Sequence, residues 1–224
     1  MTDADGAILF DFNGVIVDDE EQHRVTLEAL LADEGIALTR AQYYEEYLGW
    51  NDRMSFVAAF RHAGKPLAAQ RLDALIAEKS RRYGRLIEES LTLVPGAVEF
   101  VTRAADGWRL AIVSGALRQE IEQVLARAAL RRYFEVVVAA EDVACCKPDP
   151  AGYLAAQTAL AARRPLAVGR SVAIEDSLPG LAAARAAGLR CTMLTTSHEP
   201  AALTAADAVW TSFTGHDPAE LFPS

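Results

Sequence analysis

An α/β fold, with a parallel sheet covered on both faces and a single all-helical insertion, is what the sequence predicts, on three observations. Short apolar runs that end in polar residues recur along the chain. Segments of helical period separate most of them, and one long stretch after the first run shows helical period only. Alternation of this kind argues for parallel strands, because each crossover lays a helix on a face of the sheet.

The strand candidates are 7–12, 109–114, 134–139, 171–175, 190–195 and 208–213. Ile121, Val124, Leu125 and Ala128 carry the helical period between the second and third. In such sheets ligands bind beyond the carboxyl ends of the strands, which is where Asp11, Ser114 and Glu175 would fall. From about 19 to 91 the alternation stops. Val25, Leu27, Leu30 and Leu31 suit a first helix ending near Gly35, and Thr39 with Gln42 forms a capping-box signature before Tyr43, Tyr44, Tyr47 and Leu48. Met54, Val57 and Phe60 suggest a third helix, and Leu72, Leu75, Ile76, Tyr83, Leu86 and Ile87 a longer fourth. Val94-Pro95-Gly96 marks the return to the sheet. The expected domains are therefore 1–18 with 92–224 for the sheet and 19–91 for the helical insertion.

A chain of 224 residues can build such a core without disulfide staples. Its formal net charge of -9 argues against nucleic-acid or anionic-membrane partners, which need basic side chains, and leaves room for a local cationic patch that takes one small anion. The three cysteines, with Cys145 and Cys146 adjacent, form neither a disulfide framework nor a zinc pattern. No apolar stretch reaches membrane-spanning length, and the acidic start "MTDADG" lacks the basic region of a signal peptide. The expectation is a soluble cytoplasmic protein, monomer or homodimer.

Four stations carry chemistry. "DFNGV" at 11–15 places a carboxylate at a strand end before a glycine turn, and "VSGA" at 113–116 places a hydroxyl at another. "KPDP" at 147–150 supplies an ammonium before a helix start, and "IEDSLPG" at 174–180 supplies two adjacent acids. Singly, each has an ordinary structural explanation. Asp11 could be turn chemistry, Ser114 could cap the next helix, and Glu175 and Asp176 could cap a helix near Leu178. Together, a carboxylate nucleophile, a hydroxyl, a fixed cation and a metal-binding acid pair are what phosphoryl transfer through an aspartyl intermediate requires.

With these four stations in order around a helical insertion, the sequence resembles the haloacid dehalogenase superfamily over essentially its whole length. The branch it resembles is that of phosphatases and beta-phosphoglucomutase-like proteins, which have a Rossmann-like core and a helical cap inserted after the first motif. The resemblance implies that Asp11 attacks phosphorus and that Ser114 and Lys147 hold the transferring oxygens, with Gly115 and Ala116 beside the substrate. It implies Mg²⁺ held by Asp11, the backbone carbonyl of Asn13 and the acid pair, with Asp176 the direct ligand and Glu175 direct or through water. A hard cation with oxygen ligands suits that set. The implied partner is a small phosphorylated metabolite, and the implied motion is closure of the cap through hinges near 15–19 and 90–95, excluding water and setting specificity. In sugar-phosphate mutases of this family a cap histidine at the place of His23 reaches the site. Arg53 lies where cap residues meet the substrate's non-reacting groups, in a stretch whose spacing departs from the mutase pattern. His62, His198 and His216 read as surface or loop residues, and Cys145 and Cys146 as packing or bystander residues.

One position departs from the pattern. Two residues after the nucleophile the family's phosphatases and mutases carry a second aspartate, which protonates the leaving alcohol, and here Asn13 stands instead. An amide can hydrogen-bond to the bridging oxygen but cannot supply that proton, and losing such help costs on the order of 10²- to 10⁴-fold. Three readings follow: a Mg²⁺-dependent phosphohydrolase best suited to acyl or aryl phosphates, with His23 a candidate proton carrier; a sugar-phosphate mutase; or a non-catalytic binder of a phosphorylated metabolite.

Overall fold

The computed structural model describes residues 6–222, so the acidic start before Gly6 lies outside the described residues. The chain divides into two compact units, one formed by the chain up to Asp18 together with the chain from Thr92 onward, the other by Asp19–Leu91.

The first unit is built on a six-stranded sheet. In chain order it contains β1 (Ala7–Phe10), then, after the second unit, α5 (Ala97–Ala104), β2 (Arg109–Val113), α6 (Arg118–Arg127), β3 (Phe134–Val138), α7 (Ala151–Ala161), β4 (Val172–Glu175), α8 (Leu178–Ala186), β5 (Arg190–Leu194) and β6 (Ala208–Trp210). The strand order is β3-β2-β1-β4-β5-β6, and every pairing is parallel. Burial explains the sequence patterns. β1 and β4, flanked on both sides, are buried at every position, so they read as unbroken apolar runs. β3 at one edge alternates buried and half-buried positions. Each strand run read from the sequence is found, and all but the fourth end one to three residues earlier than read, because Phe12, Ser114, Ala139, Thr195 and Phe213 already belong to the connections.

Arg109 opens β2 with its side chain buried. Its guanidinium pairs with Glu135 at 2.9 Å and donates to the Leu160 carbonyl at 2.8 Å and the Arg164 carbonyl at 3.1 Å. Burial of a permanent cation is tolerated because every face of the fork has an acceptor. One side of the sheet packs Leu9, Ala111, Val113, Tyr153, Leu160, Leu181 and Met193 into a single cluster. Phe10 instead meets Phe100, Phe134 and Phe213 at ring-centroid distances of 6.3, 5.8 and 6.3 Å. Because the chain fills β2 and β3 on one side of β1 and then crosses to β4, the switch in strand order lies between β1 and β4. The connections near 15–19 and 90–95 run side by side, with Val94 donating its N–H to Ile16 O at 3.1 Å and Asp18 to Thr92 O at 3.0 Å.

The second unit holds only helices among its named elements: α1 (Glu20–Asp33), a short α2 (Arg40–Gln42) that runs into a π-helical turn (Tyr43–Tyr47), α3 (Asp52–His62) and α4 (Ala69–Glu89). The Thr39–Gln42 box forms, with Gln42 N–H donating to Thr39 Oγ1 at 3.2 Å and Thr39 N–H to Gln42 Oε1 at 3.0 Å. Asn51 caps α3 by accepting from Met54 N–H at 2.9 Å. The apolar period read over α3 holds for Phe60, whereas Met54 and Val57 are exposed. On α4 the buried stripe is Leu72, Leu75, Lys79, Tyr83 and Ile87, an apolar row interrupted by one lysine. No helix among the described residues is long and apolar enough to cross a membrane.

Phe10 is fully buried among three rings, so Phe10→Ala should cost about 3–5 kcal/mol. Val209→Ala on the exposed edge should stay within about 0.5 kcal/mol. Denaturant unfolding of the two variants beside the wild type measures both, and a Phe10→Ala loss below that of Val209→Ala would contradict the assigned core.

Candidate active site

Three of the candidate side chains follow directly from neighbouring central strands. Asp11 leaves β1 with its N–H still donating to Ile174 O of β4 at 2.9 Å, which fixes the carboxylate at the crossover between the two halves of the sheet. The chain then turns at Asn13-Gly14, where Gly14 has a φ of +70° and donates to Val17 O at 2.7 Å. A Cβ at Gly14 would sit 1.9 Å from Asp176 Oδ2, so the turn is packed directly on that acid, and a side chain there would be strained and would displace the carboxylate. Ser114 follows β2, and its N–H donates to Val138 O at 3.0 Å. Its hydroxyl oxygen accepts from Ala116 N–H at 3.0 Å, closing a local turn rather than capping a helix, since α6 begins only at Arg118. Glu175 ends β4 and Asp176 follows it. The cap of α8 is Ser177, which accepts from Gly180 N–H at 3.1 Å, so the capping alternative for the two acids does not hold.

Lys147 enters from the loop between β3 and α7 and joins these stations. Its ammonium lies 2.8 Å from Asp11 Oδ1 and 2.6 Å from Glu175 Oε1, with the Tyr153 ring 5.6 Å away. Glu175 is surrounded by donors. Tyr153 O–H donates to Oε1 at 2.7 Å, while Oε2 lies 3.2 Å from the Ser177 hydroxyl and within 3.3–3.4 Å of the N–H groups of Asp176 and Ser177. Gly180 lies against the same carboxylate, where an added Cβ would come within 2.0 Å. Asp176 Oδ2 accepts from the Ser197 hydroxyl, and Thr196 donates to Gly14 O at 2.6 Å.

Two buried carboxylates, Asp11 and Glu175, thus share one ammonium, with Asp176 close beside them. Burial pushes Asp11 up to about 7, the Glu175 charge adds to the rise, and Lys147 opposes both. Burial works against the charge of Lys147, yet Asp11 and Glu175 outweigh it and hold the ammonium above its ordinary value. The Tyr153 hydroxyl is held neutral, first by burial and then by the Glu175 charge. Oxygens from Asp11, Glu175 and Asp176 lie within 4.8 Å of one another. This set of hard oxygen donors with an unbalanced negative charge fits a divalent cation of the Mg²⁺ type. Glu175 has both oxygens engaged by protein donors.

His23 and Arg53 belong to the helical unit. His23 lies in the first turn of α1, its ring stacked on Tyr83 at 4.5 Å. Lys79 Nζ lies 2.7 Å from its Nδ1, and an ammonium can only donate, so Nδ1 accepts and the proton sits on Nε2, 3.3 Å from Asp19 Oδ2. Lys79, almost fully buried, also pairs with Asp52 at 2.6 Å, and Tyr83 donates to Asp19. Arg53 is exposed and pairs with Asp73 at 2.8 Å. Cys145 is exposed rather than packed, while Cys146 is half-buried. Sequence reasoning missed Tyr153, Thr196, Ser197 and Lys79. The hydroxyl run after β5 repeats the pattern of an apolar run ending in polar residues, and Lys79 interrupts an apolar stripe, so both left a signal. Tyr153 left none, since an aromatic on a helix reads as core.

The raised Asp11 value has a consequence for stability without metal. Between the unfolded value of 3.8 and the folded value of about 7, the folded state keeps a proton that the unfolded chain has released. The contribution of this group is therefore fully present below about 4 and lost as the pH rises through 7. In a chelating buffer, the melting temperature of Asp11→Asn should gain on that of the wild type from pH 5 to pH 8. A difference that stays flat over that range would contradict a buried, destabilised carboxylate.

Residues 6–188 match the haloacid dehalogenase-like hydrolase family. The protein CbbY of Rhodobacter capsulatus is 34% identical over 199 residues, spanning 82% of each chain. Validoxylamine A 7'-phosphate phosphatase of Streptomyces hygroscopicus subsp. limoneus is 28% identical over 203 residues, spanning 90% of this chain and 91% of that one. The crystal structure of CbbY from Rhodobacter sphaeroides in complex with phosphate is 30% identical and covers 96% of this chain and 98% of its own, with a TM-score of 0.85. The same values hold for an aspartate-to-asparagine variant of that protein in complex with xylulose-(1,5)bisphosphate. With most of its length matched and a parallel sheet that carries an acid at the end of its central strand, this chain belongs to the haloacid dehalogenase-like hydrolase family.

Proposed function

We propose that the chain is a Mg²⁺-dependent phosphohydrolase that acts on a small phosphorylated metabolite through an aspartyl-phosphate on Asp11. The observation that carries this reading is the Lys147 ammonium held between Asp11 and Glu175 at the carboxyl ends of β1 and β4. Relatives that are a named phosphatase or are seen with a bound sugar bisphosphate support phosphorylated sugars as the substrate class.

The Asp11 carboxylate attacks phosphorus, the ester oxygen leaves, and water then attacks the acyl phosphate to release inorganic phosphate and restore Asp11. Lys147, already 2.8 Å from Asp11, draws a phosphoryl oxygen towards the nucleophile and offsets the repulsion between two anions. The Ser114 hydroxyl, fixed by the turn at Ala116, is placed to donate to a second oxygen. Asp11, Asp176 and the Asn13 carbonyl would hold Mg²⁺, which when bound supplies charge neutralisation at the phosphoryl oxygens. Asn13 can donate a hydrogen bond to the leaving oxygen but no proton. Both ring nitrogens of His23 are engaged within the helical unit, which argues against it as the substitute acid. The favoured substrates are those whose leaving group needs little protonation, as acyl and aryl phosphates do.

A phosphate-release screen over phosphorylated metabolites and an aryl phosphate, with and without Mg²⁺, tests this reading. Release should require Mg²⁺ and disappear in Asp11→Ala, and Asn13→Asp should raise turnover on alkyl phosphates by about 10²-fold or more. Release that persists in Asp11→Ala would remove the assigned nucleophile. Wild type that binds sugar phosphates tightly with Mg²⁺ but turns none over would instead make the chain a binder.

A further inference from the structure

We infer that Thr196 and Ser197, just beyond the carboxyl end of β5, are positioning residues for the metal site. The inference rests on the Mg²⁺ site of the proposed phosphohydrolase and adds to it two residues from a strand that contributes none of the four motif stations. Ser197 Oγ donates to Asp176 Oδ2. Thr196 Oγ1 has one proton. It lies 2.6 Å from Gly14 O and 3.4 Å from Asp176 Oδ2, so its donation goes to Gly14. One hydroxyl therefore fixes the acid from β4, and the next fixes the backbone of the turn that follows β1.

The arrangement leaves a specific division of labour. The Ser197 contact with Oδ2 sets the orientation of the Asp176 carboxylate. With the Gly14 carbonyl held by Thr196, the Gly14–Val15 peptide is fixed next to the peptide that carries the Asn13 carbonyl, whose own N–H donates to Val17 O. A Cβ at Gly14 would strike Asp176 Oδ2, so the turn lies in close contact with the acid, and the two hydroxyls join both to the segment after β5. Outer hydrogen bonds that orient metal-ligating groups typically change metal affinity by 10- to 100-fold when removed.

Titration calorimetry with Mg²⁺ on the full chain, without substrate, reads the effect directly. Ser197→Ala and Thr196→Val should each weaken Mg²⁺ binding by about 10-fold or more. Thr196→Ser, which keeps the hydroxyl and loses the methyl, should bind as the wild type does. Melting temperatures in chelator should differ little among the four proteins, while the rise on adding Mg²⁺ should shrink in the first two variants only. Wild-type affinity in Thr196→Val and Ser197→Ala overturns the inference and leaves the phosphohydrolase reading standing. Equal losses in Thr196→Val and Thr196→Ser, with falling melting temperature, also overturn it, because affinity then follows packing. A wild type that binds no Mg²⁺ overturns the metal site itself and this inference with it.

Discussion

A single buried ammonium shared between two carboxylates is the interaction on which the site depends. Lys147 lies 2.8 Å from Asp11 and 2.6 Å from Glu175, and without it three buried acids would confront one another with no counter-charge. Taking ionised carboxylates out of water is costly, and mutual repulsion adds to the cost. The compensation offered by one lysine is incomplete, which is why Asp11 sits near 7. Incomplete compensation is also what a cation-binding, anion-accepting site requires. Full neutralisation by protein groups would leave nothing for a metal to supply, and no compensation would leave a pocket that could not stay charged.

The sheet makes that concentration of charge geometrically possible. Parallel strands all present their carboxyl ends on one side, and the switch in strand order opens a gap beside β1 into which side chains from several connections converge. The convergence is tight enough that a Cβ at either of two glycines would overlap a carboxylate, Gly14 against Asp176 and Gly180 against Glu175. The two acids of the pair are thereby separated in character. Glu175 is enclosed by Tyr153, Ser177, Lys147 and backbone donors, so it acts as an anchor, while Asp176 keeps one oxygen clear of the Ser197 contact. Adjacent residues of the same type come to differ because one ends the strand and the other begins the turn.

The sequence was legible where a physical rule acts locally. Runs buried on both faces announced the strands, and the Thr39–Gln42 box announced a helix start, because period and capping depend on neighbours in the chain. Strand ends were read one to three residues too long at Phe12, Ser114 and Phe213, since these residues stay apolar or functional after the ladder has stopped. In the site, Asp11, Lys147, Glu175 and Asp176 stood out as charged residues at strand or helix boundaries. Tyr153 did not, because its role depends on which oxygen its hydroxyl meets across 22 residues of chain. Met54 and Val57 misled in the opposite sense, as residues at helical spacing that the fold leaves exposed. Lys79 shows the same limit, for a lysine in an apolar stripe becomes intelligible only once Asp52 and His23 are seen beside it.

Asn13 takes on a second meaning in this electrostatic setting. On the proposed mechanism a carboxylate in place of this half-buried amide, two residues from Asp11, would add like charge near a cluster of three buried acids. By the kind of repulsion through which Glu175 raises Asp11, it would tend to raise the proposed nucleophile further. The amide keeps the backbone carbonyl and the hydrogen-bonding capacity of the turn while withholding that charge. On that mechanism what is given up is proton transfer to the leaving group, and what is gained is one like charge fewer near the attacking carboxylate. For a leaving group that departs as a stable anion that exchange would favour turnover, and for an alkoxide it would not, so on the proposed mechanism the residue at position 13 would select among phosphate esters by the acidity of the alcohol they release.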